Sequence, residues 1–185
     1  MSIKNTLNFI WEVIKIVIIA LVIVIPVRYF LFQPFLVSGQ SMEPNFENGD
    51  YLIIDEISYR FHDPQRGDVI VFRYPDDPSK RFIKRVIGLP GETVEIKEGK
   101  VTIIKENTEV LDESQYLPKG LETKGDIKIY IPEKKLFVLG DNRTVSLDSR
   151  IWGLLPRQNI LGRVYLRLWP FKEFAKIERP AYQIP

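Results

Sequence analysis

The chain has no cysteine and one histidine, His62. The first absence removes disulfides, thiolate metal sites and a cysteine nucleophile. With a single imidazole, a zinc site would need several carboxylates, and none is spaced for one. Charge of one sign is also lacking: 26 Lys and Arg stand against 24 Asp and Glu, for a net of +2. No strongly basic face announces nucleic acid. The 185 residues suit one domain, or one domain with an anchor, and can bury a core.

Long hydrophobic sequence is confined to one place, Val13 to Val37, where the apolar run is broken by Lys15, Arg28, Gln33 and prolines. Its charge-free heart, Ile16–Val27, is short for a span and leaves a buried core helix as the competing reading. Lys15 and Arg28 sit near its ends, where long basic side chains reach headgroups and extend the usable length. The exit through Tyr29, Phe30, Leu31 and Phe32 is too bulky for a signal-peptide cut. The pattern predicts an uncleaved transmembrane anchor over 13–32, with Trp11, Tyr29 and Phe30 as interfacial aromatics. Lys4 and Lys15 precede the heart, whereas only Arg28 follows it before Arg60. That asymmetry places residues 1–12 in the cytoplasm and 33–185 outside.

From Gly39 onward, short apolar runs alternate with turn residues. Strands are expected at Tyr51–Asp55, Asp68–Tyr74, Arg81–Ile87, Thr93–Lys97, Val101–Lys105, Ile127–Ile131, Leu136–Leu139 and Gly162–Leu168. Many short strands with Gly and Pro turns predict a mainly β domain, a barrel or sandwich. Residues 106–126 are polar and read as a solvated excursion or small cap. Trp169 is expected in the β core, with Phe171 and Phe174 near a lipid interface.

Ser38-Gly39-Gln40-Ser41-Met42-Glu43-Pro44 follows an extended apolar stretch. Gly39 permits a sharp bend, and Pro44 holds Glu43 extended. A serine on such a turn can be a nucleophile, though most merely cap the backbone. Its base is His62, in a polar turn where a solvated imidazole is the plainer account, or a lysine kept neutral by burial. Strand alternation over Arg81–Ile87 puts Lys84 on a face with Phe82 and Val86, and Arg81 and Arg85 on the other. Lys84 is then the one cation on an apolar face, unless it snorkels to water. A third cluster, Gly140–Arg150, concentrates charge and hydroxyls after a strand. There Asp141 or Asp148 is expected to pair with Arg143 or Arg150, and a serine hydroxyl to orient the lysine.

Taken in order, the anchor, Ser38–Pro44, Arg66–Phe72, Arg81–Gly91 and Gly140–Gly153 resemble the bacterial type I signal peptidases of the short, single-anchor kind. The resemblance implies a membrane-held β peptidase that needs no metal or cofactor. It assigns Ser41 as nucleophile, Lys84 as general base and Ser146 as the lysine-orienting serine. Asp141, Asp148 and Arg150 become supports of the site, with an Asp148–Arg150 pair. It implies an oxyanion hole; some members place a serine hydroxyl where this chain has Gly39, leaving Ser41's own amide as first donor. Met42, Phe82 and Ile83 are candidate pocket walls, with core packing as their plainer role. The implied partners are preproteins bearing signal peptides with small residues at −1 and −3, the lipid bilayer and the export translocon, not nucleic acid. Self-cleaving SOS repressors also use Ser–Lys pairs on β folds, but carry a DNA-binding domain where this chain has an apolar segment. A non-catalytic, membrane-tethered β module is the reading from another class.

Overall fold

The computed structural model describes residues 3–26 and 32–182. The helix α1 (Ile3–Pro26) opens the chain. Its described side chains, from Asn8 to Val22 and at Val24, are all exposed, so it is not a core helix of this domain. Among the described residues no helix is long and apolar enough to cross a membrane. Arg28, Tyr29 and Phe30, to which the anchor reading gave roles, lie outside the described residues.

The rest is β structure. Its strands are β1 (Phe32–Leu36), β2 (Tyr51–Asp55), β3 (Val69–Tyr74), β4 (Asp77–Gly88), β5 (Thr93–Lys97) and β6 (Lys100–Ile104). Then come β7 (Thr108–Val110), β8 (Ile127–Tyr130), β9 (Lys135–Leu139), β10 (Leu155–Pro156), β11 (Ile160–Trp169) and β12 (Ala175–Lys176). Two one-turn helices interrupt them, α2 (Ser58–Phe61) and α3 (Ser149–Trp152). The mainly β expectation holds, and every strand expected from the pattern is present within a few residues. The strands β7, β10 and β12 are too short to carry a readable period. The strand β1 lies at the end of the apolar run Val13–Val37 and overlaps the expected anchor, 13–32, only at Phe32.

Neighbouring strands of the main sheet run β1-β2-β11-β3-β4-β9-β10, with β12 added to β11. A second sheet has the order β7-β6-β5-β8. The central strands are covered on both faces. Val69 and Val71 of β3 pack in one core with Met42, Phe46 and Ile83, whereas Ile70 and Phe72 pack in another with Val86 and Val138. A third core, around Ile87, Val94, Ile103 and Phe137, joins the two sheets. The strand β4 therefore contributes to all three, and its glycine, Gly88, sits against the third. A side chain at Gly88 would collide with Ile131 and Val94.

Two expectations change. Residues 106–126 contain β7 and bury Leu111, Tyr116, Leu117 and Thr123, so the segment packs on the domain as well as meeting solvent. Trp169 is 52 % exposed, stacked edge-on against Phe171, because it lies at the last residue of β11, beyond the covered part of the sheet.

Candidate active site

The loop after β1 is held at its base by reciprocal bonds, Val37 N–H to Asp50 O at 2.9 Å and Gly49 N–H to Val37 O at 2.9 Å. Met42 and Phe46 peg it into the core, and Phe46 N–H closes on Met42 O at 3.0 Å. Gly39 adopts φ of +95°, a conformation that side chains disfavour. Ser41 is thereby displayed at the surface end of a rigid turn, half-buried.

Lys84 comes from β4, opposite Ile70 of β3. The strand β9 joins β4 only from Arg85 onward, so the Lys84 side of the strand is open toward the Ser41 turn. The lysine is 3 % exposed. Its Nζ donates to Ser41 Oγ at 2.6 Å and to Ile83 O at 2.8 Å, and lies 5.4 Å from the centre of the Phe82 ring. Burial lowers its pKa from 10.5 to about 8, against the opposing pull of Asp148 and then Asp141. An amine so poised is partly neutral near physiological pH and can take a proton from the hydroxyl it touches.

The loop after β9 backs this pair. Asn142 N–H donates to Ser41 O at 3.1 Å. Gly140 allows the approach, since a Cβ there would strike both Ser41 O and Ser146 Oγ. Ser146 is 5 % exposed, and among the described residues its Oγ has no hydrogen-bond partner; it is not bonded to Lys84. Asp148 is gripped by Arg150 through Nε and Nη2, each at 2.8 Å, and accepts Gly140 N–H at 3.1 Å. That is the anticipated Asp148–Arg150 pair.

The other two charges of this loop pair differently. Asp141 accepts Nε of Arg85 at 2.8 Å and Nη2 at 2.6 Å. Arg143 reaches Glu113 of the polar excursion, its Nη1 at 2.8 Å. Arg85 does face away from Lys84, but that side is not solvent: the arginine is 4 % exposed, with Tyr116 stacked 4.1 Å from its guanidinium. The signal for this was the unbroken apolar run of β3, Val69–Phe72, which marks strands buried on both faces. Asn45 was also missed. Its amide bonds both Asp141 and Tyr116 O, and nothing in the sequence marks an asparagine after a proline as part of a site.

A cleft of about 420 Å³ runs past the pair, walled by Leu36, Gly39, Phe82, Ile83, Val145 and Leu147. Arg81 lies along it as well. Met42, expected as a wall, is 1 % exposed and packs in the core, because its side chain pegs the turn. Gly39 N–H is taken by Asn48 Oδ1 at 2.9 Å, which leaves it unavailable to an oxyanion. Ser41's own amide has no partner among the described residues. His62 is exposed in the turn after α2, and among the described residues no group of His, Cys, Asp and Glu could hold a metal ion.

A serine hydroxyl against a desolvated lysine, at the floor of an open cleft, defines a serine hydrolase with an amine in the base's place. Comparison with known proteins agrees. The family of signal peptidases, peptidase S26, matches residues 10–169. A probable signal peptidase I-1 of Synechocystis is 38% identical over 92% of this chain and 88% of its own length. A signal peptidase I of Leptolyngbya laminosa is 40% identical over 91% and 84%, and one of Bacillus licheniformis 34% over 94% and 96%. A crystal structure of a signal peptidase I from Enterococcus faecalis covers 56% of this chain and 97% of its own, with 33% identity and a TM-score of 0.47. The chain belongs to the S26 signal peptidase family and is a serine endopeptidase.

Proposed function

We propose that this endopeptidase removes signal peptides from exported preproteins after small residues at −1 and −3, with Ser41 as nucleophile and Lys84 as base. The observation that carries the reading is the 2.6 Å contact between Lys84 Nζ and Ser41 Oγ, made by an amine only 3 % exposed. Neutral Lys84 takes the Ser41 proton as Oγ attacks the scissile carbonyl. The tetrahedral oxyanion turns toward Ser41 N–H and then collapses to an acyl-enzyme, as protonated Lys84 gives its proton to the departing amine of the mature protein and becomes neutral again. Lys84 next activates the water that releases the signal peptide. Asp141, Asp148 and Arg150 hold the loop against the dyad, and Ser146, whose buried Oγ has no partner among the described residues, is assigned to orient the amine as it changes protonation.

The stretch of β4 before Arg85 lacks a β9 partner, so an extended substrate can add beside Arg81–Ile83 in the cleft. Its small side chains would meet Leu36, Phe82, Ile83 and Val145. The peptidase domain, 33–185, is assigned to the outer face of a membrane, with 13–32 as its anchor and 1–12 cytoplasmic. Two features support a bilayer as partner. The described apolar side chains of α1 are all exposed rather than packed on this domain. And Leu36, Tyr51 and Trp169 are register neighbours across β1, β2 and β11, all exposed, forming an apolar row that begins at the cleft. An anchor confines enzyme and preprotein to one surface and raises their effective concentration; the export translocon is the neighbour this arrangement implies.

The test is cleavage of a preprotein with Ala-x-Ala before the cut. Wild type should process it, and Ser41→Ala and Lys84→Ala should be inactive but folded. Substantial turnover by either variant would overturn the mechanism.

A further inference from the structure

Ser41 and Lys84 sit on separate segments, a loop and a strand, that share no ladder. Something must hold the hydroxyl and the amine at hydrogen-bond distance. The Asp141 carboxylate takes the guanidinium of Arg85, the residue next to Lys84, through both its oxygens. The same carboxylate accepts Asn45 Nδ2 at 2.9 Å, four residues after Ser41. One carboxylate thus grips the strand of the base and the turn of the nucleophile together.

Asn45 is the only part of the nucleophile's turn that reaches it among the described residues. Both atoms facing the Asn45 amide are acceptors, Asp141 Oδ2 at 2.9 Å and Tyr116 O at 2.6 Å, so the NH2 end must point there. Each of its hydrogens then has a partner, one on the catalytic loop and one on the polar excursion. The main-chain carbonyl of Asn45 is itself held, by Arg167 Nη2 at 2.5 Å. Tyr116 returns to the network by stacking on Arg85. These contacts close a ring: Asn45, Asp141, Arg85, Tyr116 and back to Asn45.

We propose that Asn45 is a positioning residue for the peptidase reaction, fixing the Ser41 turn against the Asp141–Arg85 pair through its two amide hydrogens. The inference rests on the Ser41–Lys84 reading. The residue touches no substrate; it acts by keeping Ser41 Oγ where Lys84 can take its proton. Leucine matches the branched outline of asparagine with two bulkier methyls and donates nothing, so Asn45→Leu breaks both bonds while filling the site, and Asn45→Ala breaks them and empties it.

The measurement is acylation of Ser41 in the full chain by a covalent serine-reactive probe, read as a rate constant and as a final labelled fraction. Preprotein kcat and KM are measured beside it. In both variants the rate constant and kcat should fall roughly tenfold or more, with full labelling and KM unchanged. A wild-type rate constant in either fully labelled variant overturns the inference, even if the protein melts earlier. So does a slower overall reaction explained by a smaller labelled fraction, because that is lost folding and not misplaced chemistry. Ser41→Ala in the same assay separates the two ideas. Labelling that survives in it refutes the dyad reading, whereas loss of labelling there, with normal Asn45 variants, refutes the positioning role alone.

Discussion

Burying Lys84 as a neutral amine has a cost that a single substitution should return. The drop from 10.5 to about 8, at 1.36 kcal/mol per pH unit, corresponds to about 3 kcal/mol. The sign follows from proton counts. Between pH 8 and 10.5 the unfolded lysine is protonated and the folded one is not, so stability rises with pH through that window. Below about pH 8 both forms carry the proton and the full penalty stands. Lys84→Met keeps a long, flexible chain beside Phe82 and removes the charge. It also strips Ile83 O of its partner, a loss of about 1 kcal/mol. The variant should therefore be inactive yet about 2 kcal/mol more stable than wild type at pH 7, a Tm higher by roughly 4–8 °C. The assay is thermal unfolding of both proteins, in one detergent, from pH 6.5 to 10.5. Taking the difference between them cancels the other titrating groups, and the advantage of the variant should shrink steadily above pH 8. A variant no more stable than wild type at pH 7, or a difference that does not change with pH, would refute a buried amine of depressed pKa.

In the proposed mechanism the same amine governs the rate. Preprotein turnover should be low in acid and climb as pH passes through about 8, as Lys84 loses its proton; a rate flat from pH 5 to 9 would argue against it as base. Asp141→Ala leaves Arg85 buried without its carboxylate, and urea unfolding should show a loss of roughly 3–5 kcal/mol together with sharply reduced cleavage. His62→Ala should leave cleavage within about twofold of wild type, because the imidazole is exposed in a turn away from the cleft lining. A folded but dead His62 variant would return the histidine to the mechanism.

Much of this was legible in one dimension because it depends on local pattern. Period-2 alternation over Arg81–Ile87 put Lys84 on an apolar face apart from its neighbouring arginines, since a strand's faces follow from counting residues, and the resemblance then made it the candidate base. Gly and Pro punctuation located the principal strands, and the order of the motifs was enough to point to the S26 signal peptidases. Asp148 and Arg150, two residues apart at the start of α3, paired as the resemblance implied.

The rest depended on which distant segments meet. Arg85 was read as the outward partner of Lys84, and alternation was right about its direction. What alternation cannot report is whether a second layer covers that face, and here Tyr116 does. Arg143 had an acid close by in sequence and chose Glu113 instead, because the packed excursion brings that carboxylate to it. Met42 turned from wall to peg for the same reason, as the loop that displays Ser41 needs an apolar side chain driven into the core. The β architecture and the proposed nucleophile and base could be read from the chain alone, because strand periods and the order of motifs run along its length. Only the tertiary structure decided the ring of Asn45, Asp141, Arg85 and Tyr116 that holds Ser41 to Lys84. Those contacts join residues far apart in the chain, and a buried charge takes whichever partner the packing delivers.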